Sequence, residues 1–207
     1  MQNVSVAGLI RRFLPILALA AAPAAGADYF WIDRDAAGTR IQAGELAKPQ
    51  SEAPAVQGAR AFSADGKAVP LGAWDGHFPA DPAAGDLRFT GSRAEEKLLT
   101  VFHARFGRQE TKAASDLELV PTTAGGDTFR LFWKGNPVNA AQVNVYTSEG
   151  WSRVLRPGAD GAVSLRPSFP ALYVLEVSAR VNGAATVDGK EYEEVRHVAT
   201  LSFRVGD

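Results

Sequence analysis

The feature that most constrains this chain is an alternation of apolar and polar residues with a period of two. Between 195 and 205 every second residue is apolar or a histidine, and most residues between them are polar. This period is typical of a half-buried β-strand. It recurs at 141–146, 163–166 and 173–181, with turn-forming Gly, Pro, Asn and Asp between the segments. Six or seven short strands in about 90 residues predict an antiparallel, Ig-like β-sandwich over 116–207.

Residues 94–106 fit two structures. Leu98, Phe102 and Phe106 would share one face of a helix, and every second residue from Leu98 onwards would also share one face of a strand. Local propensity slightly favours the helix. We predict a strand, because the surrounding sequence is of the β type throughout.

The first 27 residues have the pattern of an export signal. Arg11 and Arg12 precede the apolar run 13–23, and the small residues Ala25-Gly26-Ala27 follow it. The run is only about half of the ~20 residues that a membrane-spanning helix needs. We therefore predict a signal peptide over 1–27, cleavage after Ala27 or Gly26, and a periplasmic mature chain that does not span the membrane.

The polar segment 108–115 lacks any periodic pattern and is the natural linker. With the signal peptide removed, it separates an N-terminal β domain, 28–115, from the C-terminal sandwich, 116–207. The sequence thus predicts two sandwich-like domains.

Composition excludes several kinds of chemistry. The chain contains no cysteine, its single methionine is the first residue, and its formal net charge is -1. Thiolate catalysis, disulfides and cysteine-ligated metals are excluded, and no basic surface favours nucleic acid. No nucleophile elbow, phosphate loop or dinucleotide fingerprint is present. We therefore predict that the protein is not an enzyme.

The three histidines are candidate metal ligands, because imidazole binds nickel, copper and zinc. His77 lies in a predicted loop beside Asp75 and is the strongest candidate, although a solvated loop histidine is commoner. His197 lies on the apolar face of the last predicted strand, which favours a hydrogen-bonded core histidine. His103 shares a strand face with Arg105, and a nearby cation disfavours a metal. The candidate metal set is His77, Asp75, His103 and His197.

One segment of the second half resembles a known opening strand. The segment is similar to the G-x-P-(V/L)-x-x-A-x-V-x-(V/L) opening strand of transthyretin-like and carboxypeptidase-regulatory-like β-sandwiches, and this resemblance implies a transthyretin-like sandwich over 116–207. Its matching residues are Gly135, Pro137, Val138, Ala141, Val143 and Val145. Asp160-Gly161 then stands where those domains have a turn before the next strand.

The order of several short motifs resembles an exported bacterial family of unknown function. They are Tyr29-Phe30-Trp31-Ile32-Asp33, Leu117-Glu118-Leu119-Val120-Pro121 and the turn Gly189 to Tyr192. Members are similar to periplasmic components of nickel or cobalt uptake systems. The resemblance implies metal handling, a nickel or cobalt ion as ligand, and a metal-transport or other envelope protein as partner. The family's mature N-terminal histidine would fall at Ala27 or Asp28 and is absent here.

The sequence therefore predicts an exported binding or accessory protein, with assistance to transition-metal uptake as its candidate role. The alternative is a structural or adhesive Ig-like module that binds protein or glycan in the cell envelope.

Overall fold

The computed structural model describes residues 17–18, 28–81, 85–140, 142–181, 184–187 and 189–206. Every regular element within these ranges is a β-strand, so the prediction of an all-β fold is confirmed. A search of the same ranges finds no helix with the length and apolar character to cross a bilayer. Except for Leu17–Ala18, the predicted signal peptide lies outside the described residues.

The strands are numbered in chain order. They are β1 (Leu17–Ala18), β2 (Tyr29–Asp35), β3 (Gly38–Glu45), β4 (Lys48–Pro49), β5 (Gln57–Ser63), β6 (Ala68–Val69), β7 (Phe78–Ala80), β8 (Leu87–Ala94), β9 (Leu98–Phe106), β10 (Leu117–Pro121), β11 (Thr128–Trp133), β12 (Asn136–Val138), β13 (Val143–Thr147), β14 (Ser152–Leu155), β15 (Ala162–Ser164), β16 (Ala171–Val181), β17 (Ala185–Val187), β18 (Lys190–Tyr192) and β19 (Glu194–Val205).

The largest sheet, here the main sheet, has the strand order β14-β13-β16-β19-β9-β8-β5-β6, and β1 pairs with β16. Its longest ladder joins β16 and β19 antiparallel, from Ala171 opposite Val205 to Val181 opposite Val195. On its other side β19 pairs with β9 in parallel, from Glu194 beside Leu98 onwards. Strand β9 is hydrogen-bonded on both edges, to β8 and to β19. The predicted strand within 94–106 is therefore confirmed.

The main sheet contains strands from both predicted domains. Strand β9 belongs to the predicted domain 28–115 and β19 to the predicted domain 116–207, yet they are direct neighbours. Two separate sandwich-like domains are thus not confirmed, because backbone hydrogen bonds cross the predicted boundary within one sheet.

Two small sheets pack on opposite faces of the main sheet. The first contains β2, β3, β4 and β7, and the second contains β10, β11, β12 and β15. Side chains of β16 alternate between them: Leu172 and Val174 join the core under the first small sheet, whereas Tyr173 and Leu175 join the core under the second. Burial of these apolar faces is the main stabilising contribution to the fold.

A two-residue turn closes the hairpin between β11 and β12. Trp133 pairs with Asn136, and Lys134 and Gly135 between them have φ values of 46° and 78°. Positive φ at both positions is the geometry of a type I′ turn, which matches the right-handed twist of the strands. This turn holds Trp133 at the end of the second small sheet, where it contacts a histidine described below.

Candidate functional site

A row of polar side chains lies on the main sheet, on the face that carries the first small sheet. Along β16, Glu176, Ser178 and Arg180 alternate with Val177 and Ala179, which belong to the core on the opposite face. Asn144 on β13 lies opposite Glu176, and Arg196 on β19 lies opposite Arg180. We call Asn144, Glu176, Ser178, Arg180 and Arg196 the polar strip.

The strip lies at the end of the first small sheet. The Thr200 hydroxyl donates to the Phe30 carbonyl at 2.6 Å, and the Ser202 hydroxyl donates to the Ile32 carbonyl, so β2 runs along β19 in the same direction. Strand β2 begins at Tyr29. The segment of β19 that precedes Thr200, which includes Arg196, therefore lies beyond the start of β2.

Glu176 is the most unusual residue of the strip. It is 6% exposed, and its Oε2 accepts a hydrogen bond of 2.6 Å from Asn144 Nδ2. Asn144 is oriented in turn by Gln142, whose Nε2 donates to Asn144 Oδ1 at 3.2 Å. Burial raises the pKa of Glu176, and the Asn144 hydrogen bond and the charge of Arg196 oppose this only in part. Within the described residues Glu176 forms no ion pair, and its Oε1 accepts no hydrogen bond.

Two stacked tyrosines flank Glu176. The rings of Tyr29 and Tyr146 are 5.8 Å apart and inclined by 16°, and the Tyr29 hydroxyl accepts a hydrogen bond from the Leu46 amide at 2.8 Å. Burial raises the pKa of both phenols, and the negative charge of Glu176 adds to the rise. Both hydroxyls therefore stay protonated and able to donate at neutral pH.

Two of the predicted metal ligands come together on the opposite face of the main sheet. His103 Nε2 and His197 Nδ1 are 3.0 Å apart, and the two rings are parallel within 6°. Trp133 meets the His197 ring edge to face at 4.7 Å. Each histidine is 6% exposed. We call these two side chains the histidine pair.

The hydrogen bond within the histidine pair has a preferred direction. His103 Nδ1 is buried and has no hydrogen-bond partner. An orphaned buried donor is rarer and less favourable than an orphaned acceptor. His103 therefore donates from Nε2 to His197 Nδ1. Burial lowers the pKa of His103 to about 3, with a further contribution from His197, and burial lowers that of His197 to about 4. Both rings are neutral at pH 7.

The other two predicted ligands lie elsewhere. Asp75 and His77 are in the loop before β7, in the first small sheet, and the Asp75 amide donates to the His77 carbonyl. His77 lines a cleft of about 570 Å³ together with Arg34, Arg40 and Asp81. The structure thus joins His103 to His197 but not to Asp75 or His77. No group of three or more His, Asp or Glu side chains placed to hold a metal is found among the described residues.

A buried ionic network lies on the same face of the main sheet as the histidine pair and contacts the predicted linker, 108–115. Arg105 contacts Asp86 at 2.6 Å and Glu118 at 2.8 Å, and Arg88 contacts Glu118 at 3.0 Å. Glu118 also accepts hydrogen bonds from the amides of Ala114 and Ser115. Because its charges are mutually paired, we interpret this network as structural.

Sequence reasoning assigned no role to the polar strip. The signal was visible, since Glu176, Ser178 and Arg180 share one face of a predicted strand. What the sequence could not show is that Glu176 is buried there with no ion pair to any described residue, and that the charge of Arg196 offsets this burial only in part.

Comparison with known proteins adds no assignment to this geometry: no protein-family model matches the chain, and no curated protein matches it.

Proposed function

We propose that the chain is an exported binding or accessory protein, and that it holds its ligand at the polar strip. The observation that carries this proposal is Glu176, a buried carboxyl group with one oxygen unpartnered among the described residues. The proposal also includes the expected Ig-like or transthyretin-like character of 116–207 and a role in transition-metal uptake.

The chemistry of Glu176 favours a ligand with a cationic group. Burial of an unpaired carboxylate is unfavourable by several kcal/mol, and a bound cation offsets that cost. The tyrosine hydroxyls and ring faces beside it suit the same ligand, because aromatic rings attract cations. A divalent metal ion and an organic ammonium group both satisfy this requirement.

Calorimetric titration of the purified protein tests the proposal. The probes are nickel, cobalt, zinc and ethylammonium, and the variants are Glu176→Gln and, as a control, Glu191→Gln on the exposed β18. We expect at least one probe to bind with a Kd of about 100 μM or tighter, and to bind at least about tenfold more weakly to Glu176→Gln. The Glu191→Gln control keeps the original affinity.

Two results would reject the assignment to Glu176. One is the absence of binding by every probe at this level. The other is a metal that binds Glu176→Gln normally but is lost in His197→Gln, since this would place the ion at the histidine pair on the opposite face.

A second candidate function, adhesion to another envelope protein, is favoured by the free edge of the main sheet. The outer strand β14 pairs only with β13 in the described structure. Trp151 and Val154 at this edge are 38% and 50% exposed, and they are two of the three large apolar side chains that are exposed among the described residues. An unpaired strand edge of this kind can accept a strand from a partner.

A photo-crosslinking residue at position 151 tests the second candidate in cells. We expect a discrete crosslinked product with an envelope protein from position 151 and none from the exposed control position 191. Equal crosslinking from both positions, or none from position 151, would contradict adhesion through this edge.

A further inference from the structure

The end of the polar strip furthest from Glu176 carries a row of cations across four neighbouring strands. Arg180 on β16 lies opposite Arg196 on β19, Arg196 lies beside Thr100 on β9, and Thr100 lies opposite Arg93 on β8. Residues that are paired in register point to the same face of a sheet. The three guanidinium groups and the Thr100 hydroxyl therefore share the face of the polar strip.

The carboxylates near this row are unevenly shared among its three arginines. Arg93 contacts Asp28 at 3.1 Å and Glu95 at 3.3 Å, and Arg180 contacts Glu194 at 3.1 Å. Arg196 forms no ion pair within the described residues, and its Nη2 donates only a long hydrogen bond of 3.4 Å to Thr100. Its Nε is buried without any hydrogen-bond partner.

Arg196 also lies directly opposite another arginine, so a missing ion pair is less favourable here than at an isolated position. Two like charges that are directly opposite on neighbouring strands destabilise a sheet, and Arg180 is opposite Arg196. Elsewhere in the same sheet, the buried Arg88 and Arg105 are both neutralised by carboxylates. Glu194 pairs with Arg180, so Arg196 is the member of this opposed pair that has no ion pair within the described residues. An anion at Arg196 would satisfy its free donors.

We propose that Arg196, with Thr100 and Arg180 beside it, is an oxyanion-binding subsite of the polar strip. This inference rests on the proposed function and specifies its ligand: besides a cationic group for Glu176, the ligand carries a carboxylate or phosphate group. The planar guanidinium fork binds either group through two parallel hydrogen bonds, and a neighbouring hydroxyl supplies a third donor.

Titration with inorganic phosphate and with malonate tests the subsite and distinguishes the two kinds of oxyanion. We expect one or both probes to bind with a Kd of about 1 mM or tighter and with an affinity that falls as salt is added. Arg196→Gln weakens this binding at least about tenfold. The matched control is Arg153→Gln, on the exposed edge strand β14, and it leaves binding unchanged.

Thermal unfolding of Arg196→Gln verifies that the variant is folded, and Arg196→Lys provides a second variant that retains the charge but loses the fork. Intermediate binding by Arg196→Lys supports bidentate recognition.

Normal binding of both probes to Arg196→Gln, or no binding to the unmodified protein, overturns the subsite. Glu176→Gln is expected to retain phosphate or malonate binding, so failure of the cation site and failure of the oxyanion subsite are separate results.

Discussion

At the residue scale, the histidine pair shows how burial changes the protonation of two side chains. His103 and His197 are 94 positions apart in sequence yet form a direct hydrogen bond, with Trp133 against one ring. Lys134 further disfavours a charge on His197, whereas Asp116 favours it. The balance keeps both rings neutral, which ties the stability of the fold to pH.

The pair predicts a loss of stability in acid. The pKa values in the folded state, about 3 and about 4, lie below the unfolded value of about 6.5. The unfolded chain therefore binds more protons below pH ~6.5, and stability falls as the pH drops from there towards the folded values. Between about pH 6.5 and 5 we expect a loss of about 2 kcal/mol for each histidine.

Urea denaturation at the two pH values measures this effect. The double variant His103→Gln and His197→Gln should lose less stability on acidification than the unmodified protein, because it lacks both titrating rings. His77→Gln, in the partly exposed loop, is the control and should keep the full loss. An equal loss in all three proteins would show that other groups determine the acid sensitivity.

At the scale of elements, the ionic network anchors an irregular segment to three strands. Arg88 on β8, Arg105 on β9 and Glu118 on β10 meet below the segment 107–116, and Asp86 accepts hydrogen bonds from the amides of Gln109 and Glu110. The predicted linker is therefore held by specific contacts. Such contacts restrict movement between β9 and β10.

Removal of one charge from this network should strongly destabilise the protein. Glu118→Gln removes the buried carboxylate that Arg88 and Arg105 share and leaves each arginine with one acidic partner, Glu110 and Asp86. We expect this loss to lower the free energy of unfolding by about 2–3 kcal/mol. Glu193→Gln, which removes the exposed pair with Lys97, should cost about 0–1 kcal/mol. Denaturant unfolding measures both, and similar values for the two variants would contradict a structural role for the network.

The contrast between local and distant contacts explains what could be predicted from sequence. The alternation at 173–181 and 195–205 predicted β16 and β19, because a half-buried strand imposes it locally. The parallel pairing of β9 with β19 could not be predicted, since it joins segments separated by many intervening strands. For the same reason the sequence could not predict the contact of His103 with His197, or that Arg196 forms no ion pair with a described residue.

At the scale of the whole molecule, the predicted leader adjoins the polar strip. Within 1–27 the described Leu17–Ala18 pairs with Arg180–Val181, at the end of β16 beyond its pairing with β13. Loss of the leader would free this edge beside Arg180 and Arg196. The predicted cleavage would therefore change the backbone pairing next to the proposed ligand site.

Mass measurement of the exported protein tests the processing. We expect a chain that begins at Asp28 or Ala27. Leu17→Arg places a charge in the apolar run. We expect this variant to remain uncleaved, because the run no longer has the apolar character of an export signal. Gln2→Arg adds its charge before the run and should be processed normally. Recovery of full-length protein from the exported fraction would contradict the predicted cleavage.

The position of β19 has a consequence for how the chain folds during synthesis. This strand lies between β16 and β9 in the main sheet, and it is the last of the described strands. A chain is synthesised from its N-terminus to its C-terminus. The strands on the β16 side of β19 and those on the β9 side therefore cannot join into one sheet until 194–205 has been made. Contacts of such long sequence separation form slowly. The predicted export signal implies passage through a translocation channel in the unfolded state, and the delay that this strand order causes would favour such passage.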